Sequence, residues 1–402
     1  MQTNVDCERK PGCNQQTLDY LKQKTQTHRV GAIRPRGQGA PLRLGEAQAL
    51  AGYVGRMRQV VRFAGTPAGR VAYSVTGSGP PLVCLLGWVS HLGLMWENPE
   101  HRRFVEALSR EHTVIRYDKL GCGLSDRDRT DFTLESELAV LEALVEQLGL
   151  ERFALFGSCE SGQVAAAYAA THPDRVSSLI MYGSCARGRD LATEEVRQSL
   201  LALVRAHWGL GSRVLADIWF PEASVEMTGM FAQVQRSAAS AELAAALLDM
   251  FYRFDVADLL ARIRVPTLVA HRRGSRAVRF ELGRELATLI PGAQFTALAG
   301  RMQPIYAGDP DAAAATLLSF LRDPAAERTA GADPTGGPLT AREFQVADLI
   351  ADGLTNAEIA RTLGVSVRTV DTHVEHVRTK LGVRARTQIA VWARLTPTGQ
   401  PR

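Results

Sequence analysis

The chain has 402 residues, 46% of them hydrophobic and 22% charged, which is enough apolar content for two folded units and fits no collagenous or disulfide-scaffold class. With no apolar run of about 18 residues and no signal-type segment, the sequence predicts a cytoplasmic protein without a membrane partner. The net charge of +5 is uneven: residues 1–60 carry +6, residues 61–338 carry −4 and residues 339–402 carry +3, so the middle is not a nucleic-acid surface.

Residues 1–56 are polar and basic, with Gly and Pro scattered through VGAIRPRGQGAPLRLG and one candidate helix at 44–54; they are expected to be mostly disordered. A compact pattern begins directly after Met57, so Met57 is expected to be the physiological start. From Arg58 short β-rich runs alternate with helical ones. The runs at 59–63 and 70–76 read as a hairpin, followed by strands at 82–86, 112–117, 153–156, 176–182, 267–271 and 294–297. Helical spacing occupies 100–109, 133–148, 161–171, 280–290 and 311–321. This alternation predicts an α/β fold with a mostly parallel, doubly wound sheet.

Residues 190–260 interrupt the alternation with apolar positions at steps of three and four, including Trp208, Trp219, Phe220, Met230, Phe231 and Phe251, and predict an inserted helical lid. Residues 322–338, RDPAAERTAGADPTGGP, read as a linker. Six cysteines, Cys7, Cys13, Cys84, Cys122, Cys159 and Cys185, show neither a CxxC pair nor metal-ligand spacing, so reduced thiols are expected, with no metal and no cofactor.

Beyond the linker, residues 339–395 predict four short helices around one small core. In Val367 to Leu381, the apolar residues Val367, Val370, Val374, Val377 and Leu381 share one face, while Arg368, Thr372, Glu375 and Thr379 occupy the other. Ser366 reads as its N-cap and Gly382 as its C-terminal stop. A shorter helix at 356–363, joined to it through Gly364-Val365-Ser366, completes a helix-turn-helix. From Val365 to Arg402 there are seven Arg and Lys against two acids, which places the positive field on the recognition half.

Two families are recognisable. Residues 339–395 resemble the LuxR-type (GerE-like) DNA-binding domain through Leu339-Thr340-Ala341-Arg342-Glu343, Gly353, Asn356, Ile359-Ala360, Leu363, Ser366, Thr369-Val370, His373, Lys380-Leu381 and Arg386-Thr387. The resemblance implies a homodimer on an inverted-repeat double-stranded DNA operator, paired through the closing helix. It implies base contacts by Asp371, Thr372 and Glu375. Arg368, Thr369, Lys380 and Arg386, at the rim and ends of the helix, are expected to contact phosphates.

Residues 57–321 resemble the α/β-hydrolase family through Gly87-Trp88-Val89-Ser90-His91, Arg116-Tyr117-Asp118 with Gly121-Cys122-Gly123-Leu124-Ser125-Asp126, and Val265-Pro266-Thr267-Leu268. That family places a nucleophile in GxSxG at a sharp strand-to-helix elbow. Here the run is Gly157-Ser158-Cys159-Glu160-Ser161, and the acid and base positions of the resemblance hold Ser275 and Gln303. With all three triad positions changed, no ordinary hydrolase activity is expected, because Gln303 cannot shuttle a proton and Ser275 cannot orient an imidazolium. His91 and His271 are the nearest histidines to consider as substitutes, and each reads as structural; His172 belongs to a surface turn.

The sequence therefore predicts a transcriptional regulator whose degenerate hydrolase-like domain senses a small, largely apolar molecule. The expected pocket residues are Trp88, His91, Cys159, Glu160, Trp219 and Met230. Two rivals stay open at this point: a slow cysteine hydrolase or lactonase fused to a DNA-binding domain, and a redox regulator acting through Cys159 or Cys122, since a thiol at a helix N-terminus has a lowered pKa.

Overall fold

A computed structural model describes residues 59–221, 223–324, 339, 341–381, 383 and 385–395. The N-terminal tail with its candidate helix, Met57, residues 325–338 of the linker, Gly382 and the last seven residues lie outside the described residues.

The first folded part is built on an eight-stranded sheet in the order β1-β2-β4-β3-β5-β6-β7-β8. Its strands are β1 Val61–Thr66, β2 Gly69–Thr76, β3 Pro81–Leu85, β4 Thr113–Tyr117, β5 Phe153–Ser158, β6 Val176–Tyr182, β7 Thr267–Arg272 and β8 Gln294–Leu298. The β1–β2 hairpin is antiparallel, as is the β2–β4 pairing, and every pairing from β4 to β8 is parallel.

Parallel strands covered on both faces read as continuous apolar runs. Strand β5 shows why: Phe153 and Leu155 enter one apolar cluster, and Ala154 and Phe156 the cluster on the opposite side. The first cluster is closed by α3 (Leu134–Gln147) through Val140, Leu141, Leu144 and Val145, and by α4 (Glu160–Thr171). The second is closed by α2 (Pro99–Ser109) through Phe104, Val105 and Leu108 and by α11 (Pro310–Arg322) through Leu317 and Leu318. A short helix not foreseen from the sequence, α1 (Leu92–Glu97), precedes α2, and the Asn98 side chain caps α2 by accepting from the Glu100 and His101 amides.

Between β6 and β7 lies the lid: α5 (Glu194–Ala206), α6 (Trp208–Trp219), α7 (Val225–Ala238), α8 (Ala241–Arg253) and the short α9 (Ala257–Leu260). Helix α10 (Phe280–Leu289) follows β7. The lid occupies the predicted span, and the predicted strands and helices are present with ends that coincide or are shifted by at most three residues. No helix among the described residues is long and apolar enough to cross a membrane.

The second folded part has helices α12 (Ala341–Ala351), α13 (Asn356–Leu363), α14 (Val367–Leu381) and α15 (Arg386–Leu395). Val346, Ala347, Ile359, Val370, Val377 and Ile389 form its core. A capping box opens α13: the Thr355 hydroxyl accepts from the Glu358 amide and the Glu358 side chain accepts from the Thr355 amide. Gly364 closes it in the left-handed region (φ 65°), which lets the Val365 N–H reach back to the Ala360 carbonyl at 3.0 Å. One position departs from the expected apolar face. Val367, in the first turn of α14, is 46% exposed, because the neighbouring helices meet α14 one turn further on, at Val370.

Candidate ligand site and nucleic-acid interface

Strand β3 has β4 on one side and β5 on the other, so the chain reverses direction of travel across the sheet there, and the crevice at the carboxyl ends of such strands is where open α/β sheets bind ligands. At this crevice β5 turns sharply into α4 through Cys159, whose φ of 53° and ψ of −126° are unusual for a residue with a side chain. The strain is held by the Cys159 N–H bonding to the Tyr182 carbonyl (3.0 Å) and the Gly162 N–H bonding back to the Cys159 carbonyl (3.1 Å). Small neighbours are obligatory: a Cβ on Gly157 would lie 2.4 Å from the Ser161 carbonyl, and one on Gly162 would lie 2.6 Å from the Ser184 hydroxyl.

Cys159, Ser275 and Gln303, the residues that the family pattern sets at its triad positions, come together. The Gln303 amide donates from Nε2 to Cys159 Sγ (3.2 Å) and to the Gly183 carbonyl (3.1 Å), while its Oε1 accepts from the Ser275 hydroxyl (2.5 Å). Because the Gly183 carbonyl can only accept, it fixes which end of the amide carries the NH2 group. Ser275 Oγ in turn accepts from the Val278 N–H (3.3 Å). The result is a linear chain, Cys159–Gln303–Ser275, in which no member takes up a proton at neutral pH.

Burial, with the Glu160 charge added, pushes the Cys159 thiol up to about 12, outweighing the Gln303 hydrogen bond that favours a thiolate. The lowered pKa expected of a thiol at a helix start is therefore absent. Cys122, the other candidate redox thiol, is fully buried and likewise pushed up to about 12 by burial. Both histidines considered as substitute bases have one ring nitrogen engaged, and the second nitrogen of His271, Nδ1, is buried against Gly283 without a hydrogen-bond partner. His91 Nδ1 accepts the Leu94 N–H as the cap of α1, and His271 Nε2 bonds to the Val278 carbonyl. His172 is stacked on Tyr168.

Of the expected pocket residues, Cys159 and Trp219 share an apolar cluster with Cys185, Phe251, Val278 and Leu282. Trp88 is buried, with its ring N–H on Gln235 Oε1 at 2.9 Å. The Glu160 carboxylate is turned back onto the Trp88 N–H and the Lys119 ammonium. Met230 is a correction: it is 56% exposed, because the inward side of α7 is taken by Phe231, which packs on Trp219 and Phe220. Lys119 was not singled out from the sequence; it directly follows Asp118 of the Arg116-Tyr117-Asp118 motif, and nothing local marks it as the partner of a distant carboxylate.

In the helical domain, Arg368, Thr369, Asp371, Thr372 and Glu375 are exposed along α14. Thr369 is tied to the Ser366 hydroxyl (2.7 Å) and Thr372 to the Arg368 carbonyl (3.0 Å), so both keep a solvent-facing edge. Asp371 Oδ1 accepts from Asn356 Nδ2 (2.6 Å), a partner on α13, rather than from an arginine of its own helix. Glu375 pairs with Arg378 at 3.0 Å.

The two remaining phosphate candidates have internal partners. Lys380 Nζ lies 2.6 Å from Glu343 Oε2, with side chains only 16% and 4% exposed. Arg386 donates to Asn356 Oδ1 and to the Leu354 carbonyl, each at 2.5 Å. Both cations hold α12, α13, α14 and α15 together, and their assignment as phosphate contacts is revised accordingly. Glu343 also lies near His373 and His376, one donor atom of each being within 4.8 Å of the others. Lys380 already neutralises that carboxylate, which favours an internal ion pair over a bound cation.

Comparison with known proteins covers both folded parts. Residues 337–393 match the luxR family of bacterial regulatory proteins, and residues 80–208 match the alpha/beta hydrolase fold. The chain thus carries a LuxR-type DNA-binding domain fused to an α/β-hydrolase domain. Its C-terminal part is 47% identical over 55 residues to the transcriptional regulatory protein LiaR of Bacillus subtilis, covering 14% of this chain and 26% of LiaR. Its first part is 24% identical over 258 residues to the pyrrolizixenacetamide deacetylase of Xenorhabdus hominickii, covering 63% of this chain and 94% of that enzyme. The enol-lactonase of Burkholderia xenovorans superposes with a TM-score of 0.57 at 25% identity, over 65% of this chain and all of that one.

Proposed function

We propose that the protein is a transcriptional regulator in which the hydrolase-like domain binds a small, largely apolar molecule without turning it over. The observation that carries this reading is the Cys159–Gln303–Ser275 chain, which keeps the line of a triad but has no base and no acid in it. A thiol raised to about 12 and bonded to an amide has no partner to take its proton. The apolar side chains clustered around Cys159 give the elbow an apolar lining, which suits an apolar ligand. The exposed row on α14 supplies the contacts for an inverted-repeat operator, read by a homodimer paired through α15.

Ester turnover is the test. The purified protein is expected to hydrolyse p-nitrophenyl acetate no faster than its Cys159→Ala variant does. Turnover abolished by Cys159→Ala would replace this reading with a slow cysteine hydrolase.

A further inference from the structure

The loop after β3 and the start of α4 meet at one point. Gly87 lies so close to the elbow that a Cβ there would fall 2.4 Å from the Ser158 carbonyl and 3.0 Å from the Cys159 Cβ. The next residue, Trp88, holds an unusual φ of 55°. In an acyl-transferring elbow, an N–H from this loop and the N–H of the residue after the nucleophile together receive the substrate's carbonyl oxygen. Here those donors are the amides of Trp88 and Glu160.

The first of them is already taken. The Trp88 N–H points between the two Glu160 carboxylate oxygens, at 2.7 and 2.8 Å. Lys119 Nζ holds Oε1 from the far side, and the Ser161 hydroxyl stands 3.5 Å from the same oxygen. The Lys119 and Glu160 side chains are 5% and 3% exposed, so the carboxylate is dry and its charge is compensated within the protein. Burial works against the Lys119 ammonium, yet the Glu160 and Glu137 carboxylates raise its pKa above the ordinary lysine value.

We propose that Glu160, with Lys119 as its counter-ion, plugs the oxyanion hole of this domain. The plug is a block on acyl transfer separate from the triad positions, and it restricts the cleft to ligands held through apolar surface rather than through an ester or lactone carbonyl. The inference rests on the ligand-binding reading above and narrows the class of ligand.

The test rebuilds the missing chemistry in the full chain with and without the plug. One variant carries Cys159→Ser, Ser275→Asp and Gln303→His; the other adds Lys119→Met and Glu160→Met, which removes both charges together and strands neither. Restoring one oxyanion-hole donor is expected to raise kcat/KM for p-nitrophenyl acetate by about 100-fold in the second variant. Equal rates in the two, whether high or low, overturn the plug.

A measurement on the otherwise native chain covers failure of the heavily substituted variant to fold. The Trp88 amide proton, bonded to a carboxylate, is expected to resonate downfield and to move upfield in Glu160→Gln, whose neutral amide is the weaker acceptor; an unmoved resonance also overturns the plug. Turnover by the unaltered chain would count against the proposed function instead, so the two readings fail separately.

Discussion

The elbow at Cys159 and the face of α14 treat polar groups in opposite ways. At the elbow the side chains of Cys159, Gln303, Ser275, Glu160 and Lys119 are turned inward onto one another: thiol on amide, amide on hydroxyl, carboxylate on ammonium. On α14 the row from Arg368 to Glu375 faces solvent and is tied only by bonds at the rim of the helix. Groups that are already satisfied in a dry setting stabilise and specify a shape, whereas exposed groups with spare hydrogen-bonding capacity are available to a partner. The first site is closed on itself, whereas the second is a surface left open to a partner.

The largest effect expected from this contrast is at Lys119. Lys119→Met alone strands the Glu160 carboxylate and should cost about 3–5 kcal/mol of stability, while Lys119→Met with Glu160→Met should cost far less. Urea denaturation of both variants checks it; equal losses would mean that the pair is not a unit.

Next comes Lys380, which belongs with the elbow in kind although it lies on α14. Lys380→Ala should destabilise the helical domain by about 3 kcal/mol by leaving Glu343 buried without its cation. Arg368→Ala should leave stability unchanged and instead reduce the salt dependence of DNA binding by about one unit in slope. A stable Lys380→Ala protein with a flattened salt slope would return Lys380 to the list of phosphate contacts.

Glu375→Gln tests the reading surface itself. It should alter preference at one base of each half-site by roughly 1–3 kcal/mol. Selection from a random DNA pool with both proteins measures this, and identical recovered motifs would confine Glu375 to its pair with Arg378.

The smallest effect is a pH dependence. Burial holds His101 well below the ordinary histidine value, with the Arg116 charge adding to it, and burial lowers His271 as well. Both are neutral in the folded hydrolase-like domain, while the unfolded chain takes up their protons below about pH 6.5. The stability they contribute is present above that pH and is lost as the pH falls. Melting of the hydrolase-like domain, followed by calorimetry from pH 7 to pH 5, should move to lower temperature, and an unchanged midpoint would remove these two rings from the account.

The sheet and the helix-turn-helix were legible because periodicity and caps are local. The capping residues Thr133 and Thr355 and the Gly364 turn lie within a few residues of the elements they bound. Cys159, Ser275 and Gln303 were placed through a family pattern, and they do meet. What the sequence withheld were pairings across large separations: Lys119 with Glu160, 41 residues apart, and Lys380 with Glu343, 37 apart. Composition cannot tell an ammonium facing a phosphate from one facing a carboxylate of its own chain. Met230 failed for a related reason, since spacing in a lid helix marks an apolar stripe without saying which part of it the neighbours cover.

Gln303 is held at both ends of the residue. Its side chain lies against Cys159, and its main-chain N–H bonds at 2.7 Å to the carbonyl of Trp219, the last residue of α6. That carbonyl is one a helix end leaves without an internal partner, so the bond ties the end of a lid helix to the floor of the cleft. A molecule that wedges between the thiol and the amide must either bend Gln303 about its side-chain torsions or draw the Trp219 end of α6 along with it. Gln303 is thereby a mechanical tether, and the lid is the part that would feel it pulled.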